Sequence, residues 1–213
     1  RFNFSAYDSL ATFPVIANQT YHIAVDGYNG ELGDLLLFSV VTQRLNDLVL
    51  NIPNNGIWTY LNNNFSDPSN INTSDASKIV VGDIDGSEKG DIVADFGTGL
   101  WVWLNNQSWK KFNVLPAQHI AIGGIDGDDR ADVITDFGSE YGIWVKMNNL
   151  SWRRLNTSST NGIAVGDLDG DGRDDVIGNF GSDGGTWAYM NNDSWVKQNN
   201  SSAPNMITCD IDG

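Results

Sequence analysis

The chain has little cysteine, little proline and little positive charge. Its 213 residues include a single cysteine, Cys209, so no internal disulfide framework can be drawn. Lys and Arg number 12 against 27 Asp and Glu, for a formal net charge of −15. That deficit leaves no basic stripe for nucleic acid phosphates or an anionic membrane surface, and makes cations the expected partners. No apolar run has the length of a membrane-spanning helix, and no segment carries a sustained helical period. The two histidines, His22 and His119, sit in strand-like runs. HExxH, GxSxG and any Cys/His pair able to activate a nucleophile are missing, so the residues predict no enzyme.

What remains is the composition of a folded β-protein. Apolar residues make up 40% and charged residues 18%, which sets the chain apart from a disordered polyelectrolyte. Short Val/Ile/Trp/Tyr-rich segments alternate with Asn, Asp and some of the 23 glycines, which predicts an all-β fold. The opening "RFNFSAYDS", without an initiator Met, and the ending "CDIDG" read as the cut ends of a longer polypeptide.

Three markers repeat in step. "GDIDG" begins at Gly82, "GGIDG" at Gly123, "GDLDG" at Gly166 and "CDIDG" at Cys209, at intervals of 41, 43 and 43. Trp58, Trp101, Trp144 and Trp187 recur every 43 residues, as do Trp109, Trp152 and Trp195. Each unit divides into four short strands, seen in the third as "GIAVGDL", "DVIGNF", "TWAYMN" and "SWVKQN". Four antiparallel strands in about 43 residues correspond to one blade of a β-propeller. The expected units are 44–77, 78–118, 119–161, 162–205 and a truncated 206–213. In the first, residues 46–64 match strands two and three only. Met206 to Asp210 is expected to open a further unit, within a ring of about seven blades or as closure of a four-bladed one.

The third repeat concentrates five aspartates in "GDLDGDGRDD". At an effective dielectric of about 20, two carboxylates about 5 Å apart repel by roughly 3 kcal/mol, so a tight loop needs a cation unless it stays open to water. Counting from the first Asp, positions 1, 3, 5 and 9 are Asp167, Asp169, Asp171 and Asp175, with Gly172 at position 6 and the carbonyl of Arg173 at position 7 as a further donor. Alternating oxygens around a sharp bend, with no His or Cys, suit a hard cation, calcium foremost. The helices and position-12 Glu of an EF-hand are missing. The first loop keeps Asp83, Asp85, Ser87, Lys89 and Asp91, with Glu88 at position 6. The second keeps Asp126, Asp128, Arg130 and Asp132 but has Gly124 at position 1. The expected affinities rank third, first, second, since each lost carboxylate removes charge and a ligand.

With "DLDGDGRDDVIGNFG", and with "DFG" at Asp95–Gly97 and Asp136–Gly138 and "NFG" at Asn179–Gly181, the chain from about Asn46 to Gly213 resembles the FG-GAP/VCBS repeat family, related to the integrin α-subunit head. The resemblance implies calcium between the first two strands of a blade and a role in extracellular adhesion or binding. Residues 1–43 lack the repeat markers. "YHIAVDGYNG" within them resembles the end of a bacterial pre-peptidase C-terminal domain, a small β-sandwich of secreted enzymes. This implies a secreted or surface parent protein of several domains.

Tryptophan on one face of each third strand, followed two residues later by Tyr60, Trp103, Lys146 or Tyr189, reads as packing between blades. The alternative is a glycan-binding surface using Trp109, Trp152 and Trp195. Asn106, Asn149 and Asn192 each begin an N-x-S sequon at equivalent turns, which turn chemistry explains without glycosylation. The sequence thus predicts an extracellular calcium-binding propeller module that binds an unidentified protein or glycan, with a propeller lectin or an accessory domain of a secreted hydrolase as alternatives.

Overall fold

Fifteen short strands build the computed structural model, which describes residues 47–209 and 211. The sandwich expected over 1–43, His22, Asp210 and Asp212 lie outside the described residues. The strands form one three-stranded and three four-stranded antiparallel sheets, with a single-turn helix, α1 (Gly181–Gly184). The first sheet is β1 (Leu48–Ile52), β2 (Gly56–Tyr60) and β3 (Ser69–Asn72). The second is β4 (Lys78–Gly82), β5 (Asp91–Asp95), β6 (Leu100–Leu104) and β7 (Ser108–Asn113). The third is β8 (His119–Gly123), β9 (Asp132–Asp136), β10 (Ile143–Met147) and β11 (Ser151–Asn156). The fourth is β12 (Ile163–Gly166), β13 (Asp175–Asn179), β14 (Thr186–Met190) and β15 (Ser194–Asn199). Every sheet is a meander in which sequential strands pair.

Burial decides the character of each strand. The second strands, "DIVAD", "DVITD" and "DVIGN", are buried at every position, and their continuous β-branched runs fit burial on both faces. The fourth strands, "SWKKFN", "SWRRLN" and "SWVKQN", are exposed edges that keep one Trp half-buried. Between third and fourth strands, Asn105–Asn106, Asn148–Asn149 and Asn191–Asn192 all adopt positive φ, the paired left-handed conformation of a tight hairpin turn.

The "[DN]FG" triplets join neighbouring elements. Asp95 and Asp136 sit at the ends of β5 and β9, buried, and accept the N–H of Gly97 (2.7 Å) and Gly138 (2.8 Å). They also accept the N–H of Ala117 (3.0 Å) and Thr160 (2.7 Å) on the segment leading to the next sheet. Asn179 and Asn51 make the same tie to the carbonyls of Ala203 and Ala76. Phe96, Phe137 and Phe180 pack edge-on against Trp109, Trp152 and Trp195, with centroids 5.3, 5.4 and 5.4 Å apart.

Those tryptophans hold sheet to sheet. Trp109 Nε1 donates to the carbonyl of Ile71 in the first sheet (2.8 Å), and Trp195 Nε1 to that of Leu155 in the third (3.0 Å). Trp152 also meets Phe112 of the second sheet. Lys146, in the place of Trp103 and Tyr189, lies over the Phe112 and Trp152 rings and donates to the Leu150 carbonyl, and burial pulls its pKa down. At the opposite edges of the sheets, the first strands β4, β8 and β12 lie side by side. Glycine allows that approach: a Cβ on Gly82 would stand 2.8 Å from Ile122 Cδ1, and one on Gly123 would collide with Val165.

Two expectations change. The first unit has a fourth strand, β3, beyond the two read from residues 46–64; "SNIN" lacks the Trp that marks the others. Residues 206–209 form no strand, although "MITC" resembles the other first strands. Thr208 Oγ1 donates to the Val165 carbonyl (2.6 Å), and Thr208 packs against Gly166 just as Val165 packs against Gly123. The segment therefore takes a first-strand position but has no second strand among the described residues to complete a ladder.

Trp152→Ala should remove the wedge between the second and third sheets and lower unfolding stability by about 3–5 kcal/mol, measured by denaturant titration.

Candidate metal centres

Each acidic loop links the first strand of its sheet to the second. Its backbone has the same shape three times: position 4 is glycine with positive φ (Gly86 77°, Gly127 75°, Gly170 77°), and position 6 is left-handed as Glu88, Asp129 or Gly172. Glu88 accepts this conformation at a cost of roughly 1 kcal/mol, so the change from Gly at position 6 leaves the loop intact.

Backbone donors then fold the carboxylates inward. Asp83 accepts the N–H of Gly86 (2.8 Å), Ser87 (3.0 Å) and Glu88 (2.6 Å). Asp167 accepts those of Gly170 (2.7 Å) and Gly172 (2.9 Å). The position-9 carboxylates Asp91, Asp132 and Asp175 start the buried second strands, and each accepts the N–H of its loop's second residue, Ile84, Ile125 or Leu168, at 3.1 Å. Carboxylate oxygens of Asp83, Asp85 and Asp91 lie within 4.8 Å of one another, as do those of Asp167, Asp169 and Asp175. These all-oxygen triads match a hard divalent cation such as calcium, with carbonyls and water left to complete six to eight ligands. Asp171 lies outside its triad and caps the Arg173 N–H (2.8 Å), while the Ser87 hydroxyl bonds to Asp85.

The second loop brings no such triad together among the described residues. Its missing position-1 carboxylate has a counterpart in the next loop. Asp174 donates its N–H to the Gly124 carbonyl (3.0 Å), and its Oδ2 accepts the Gly124 N–H (2.8 Å). At the preceding junction the same place is held by Ala131, whose N–H donates to the carbonyl of Asp83 (2.7 Å). Each junction thus carries one carboxylate: on position 1 of the earlier loop at the first, and on the later loop at the second. An Asp at 124 would put a second charge against Asp174.

In the second and third loops the position-7 side chain reaches across the preceding loop. Arg130 covers Gly86 and Arg173 covers Gly127, each within about 3 Å of where a Cβ would stand. Arg130 Nε is also 4.0 Å from Asp128. Between the loops an open cleft of about 420 Å³ is floored by Gly123, Gly124 and Gly127.

Burial and hydrogen bonding pull the carboxylates in opposite directions. Burial raises Asp91 and pushes Asp132 up to about 6, where the charges of Asp126 and Asp128 add to the effect. Asp167 is held low by the N–H of Gly172 and then of Gly170. Burial works against Asp85, but the Ser87 hydroxyl and the Asn105 amide outweigh it and hold Asp85 low.

A contact that sequence reading missed crosses the sheet. Asn105, Asn148 and Asn191, each just before the sequon asparagine of its turn, donate Nδ2 to Asp85 (2.7 Å), Asp126 (3.0 Å) and Asp169 (2.9 Å). The available signal was that each of these asparagines follows its loop aspartate by a similar interval, 20, 22 and 22 residues.

No protein-family model matches the chain. No curated protein matches it. Among solved structures, the chain is similar to a lectin of Agrocybe aegerita, solved for its specific recognition of non-reducing terminal N-acetylglucosamine: 16% identity, TM-score 0.48, 74% of this chain covered. This chain spans 50% of the lectin's length.

In cation-free protein, carboxyl-carbon NMR of Asp132 should titrate with a midpoint near 6 against an ordinary 3.8. Because the folded state keeps a proton that the unfolded chain has lost in this window, ionising Asp132 reduces stability as pH rises from about 4 to 6.

Proposed function

We propose that the chain is a calcium-stabilised β-propeller module of an extracellular protein, each sheet a blade, serving adhesion or ligand binding within a larger secreted or surface chain. The observation that carries this reading is the pair of carboxylate triads, Asp83/Asp85/Asp91 and Asp167/Asp169/Asp175, at equivalent points of two repeats. The side-by-side first strands and the Trp contacts from sheet to sheet support the propeller arrangement. In a chain of net charge −15, calcium supplies the positive charge that its own residues lack in these loops.

Glycan binding is the second reading, and it too would make the module an extracellular binding protein. The half-exposed third-strand indoles Trp101, Trp144 and Trp187 favour it, each with a cation over the ring: Lys111 at 5.6 Å, Arg154 at 5.7 Å and Lys197 at 5.5 Å. Trp109, Trp152 and Trp195 are engaged between sheets, so a sugar surface would rest on the third-strand row instead. Glycan-array binding lost in Trp144→Ala would favour this reading over the first.

Calorimetric titration of chelator-treated protein with calcium should show two sites. Calcium at about a hundred times the dissociation constant should add about 2.7 kcal/mol and raise the melting temperature by roughly 5–10 °C for each site filled. Absence of heat together with an unchanged melting temperature would refute the calcium reading.

A further inference from the structure

One asparagine in each complete sheet bridges two carboxylates of the acidic loop. Besides its amide bond to the position-3 aspartate, the backbone N–H of Asn105, Asn148 and Asn191 donates to position 9: Asp91 (2.8 Å), Asp132 (2.9 Å) and Asp175 (2.8 Å). In the first and third loops this residue therefore touches two of the three triad members, while the N–H groups of the loop hold the third.

The first sheet separates the two contacts. Asn62 occupies the equivalent turn with φ 54°, and its N–H donates to Asp47 (2.7 Å), the counterpart of Asp91. No Asp or Glu occurs between Leu35 and Asn46, so the sequence ahead of that sheet carries no counterpart of the acidic loops. The turn and the backbone bond to position 9 thus form without a candidate cation site, and the amide bond to position 3 accompanies the acidic loop. A left-handed turn also accepts Gly or Asp. Glycine would lose the donor, and Asp would bring a further negative charge.

Resting on the calcium reading, we infer that Asn105 and Asn191 are positioning residues: their amides hold Asp85 and Asp169 against repulsion from the other triad carboxylates, so that the cation meets a preassembled site. The hairpin turn at the far side of the sheet is then part of the cation site rather than only a connector. Outer contacts of this kind typically set metal affinity by about 10- to 100-fold.

Asn191→Gly tests the inference, because glycine keeps the left-handed turn and the N–H to Asp175 while deleting the amide. In calorimetric calcium titration, one of the two sites should weaken about 10-fold and the other stay unchanged, with the melting temperature in chelator close to that of the parent protein. Asn62→Gly, in the sheet without an acidic loop, should leave both affinities unchanged. If Asn191→Gly fails to fold, Asn105→Gly reads out the first loop in the same way. Parent-like affinities at both sites, or equal weakening of both, would overturn the positioning role. A parent protein that binds no calcium would instead remove the reading beneath it.

Discussion

The fold hangs on acceptor side chains at both ends of each buried second strand. At one end stand Asp91, Asp132 and Asp175, each at most 1% exposed; at the other stand Asp95, Asp136 and Asn179, equally buried. A buried carboxylate is costly unless backbone or side-chain donors surround it. Here the donors come from different elements: the acidic loop and the hairpin turn at one end, and the "FG" turn and the connection to the next sheet at the other. Satisfying these buried acceptors assembles the rest of each unit around its second strand.

The same logic explains why the acidic loops can exist without unfolding themselves. Their N–H groups point inward at position 1, and Asp83 alone collects three. These dipoles offset part of the repulsion in a triad held within 4.8 Å and leave an all-oxygen concavity of net negative charge. Where position 1 is Gly124, the next loop's Asp174 takes the carboxylate's place at the junction, and the pocket becomes a latch between loops.

Between sheets the contacts are of two kinds. Along the first strands, glycine lets neighbouring sheets meet without a Cβ in the way; along the fourth strands, Trp152 spans the gap with a ring contact to Phe112, and Trp109 and Trp195 span it with an indole hydrogen bond. Aromatics as large as these contribute more to inter-sheet adhesion than the sparse ion pairs of so acidic a chain.

The sequence by itself determined the all-β class, the repeat interval, the four strands of each complete unit, the left-handed Asn turns and the spacing of the loop carboxylates. These depend on short stretches of chain, where alternation, turn preference and loop geometry act within about ten residues. Only the tertiary structure decided that Asp171 stays outside the triad, that Gly124 is answered by Asp174 from another repeat, and that Asn105 and Asn191 reach back 20 and 22 residues to the loop aspartates. It also decided that residues 206–209 are no strand, since a strand exists only where a partner offers its hydrogen-bonding edge. Convergence of distant groups depends on how sheets close and stack, and a pattern read along the chain carries no direct record of that.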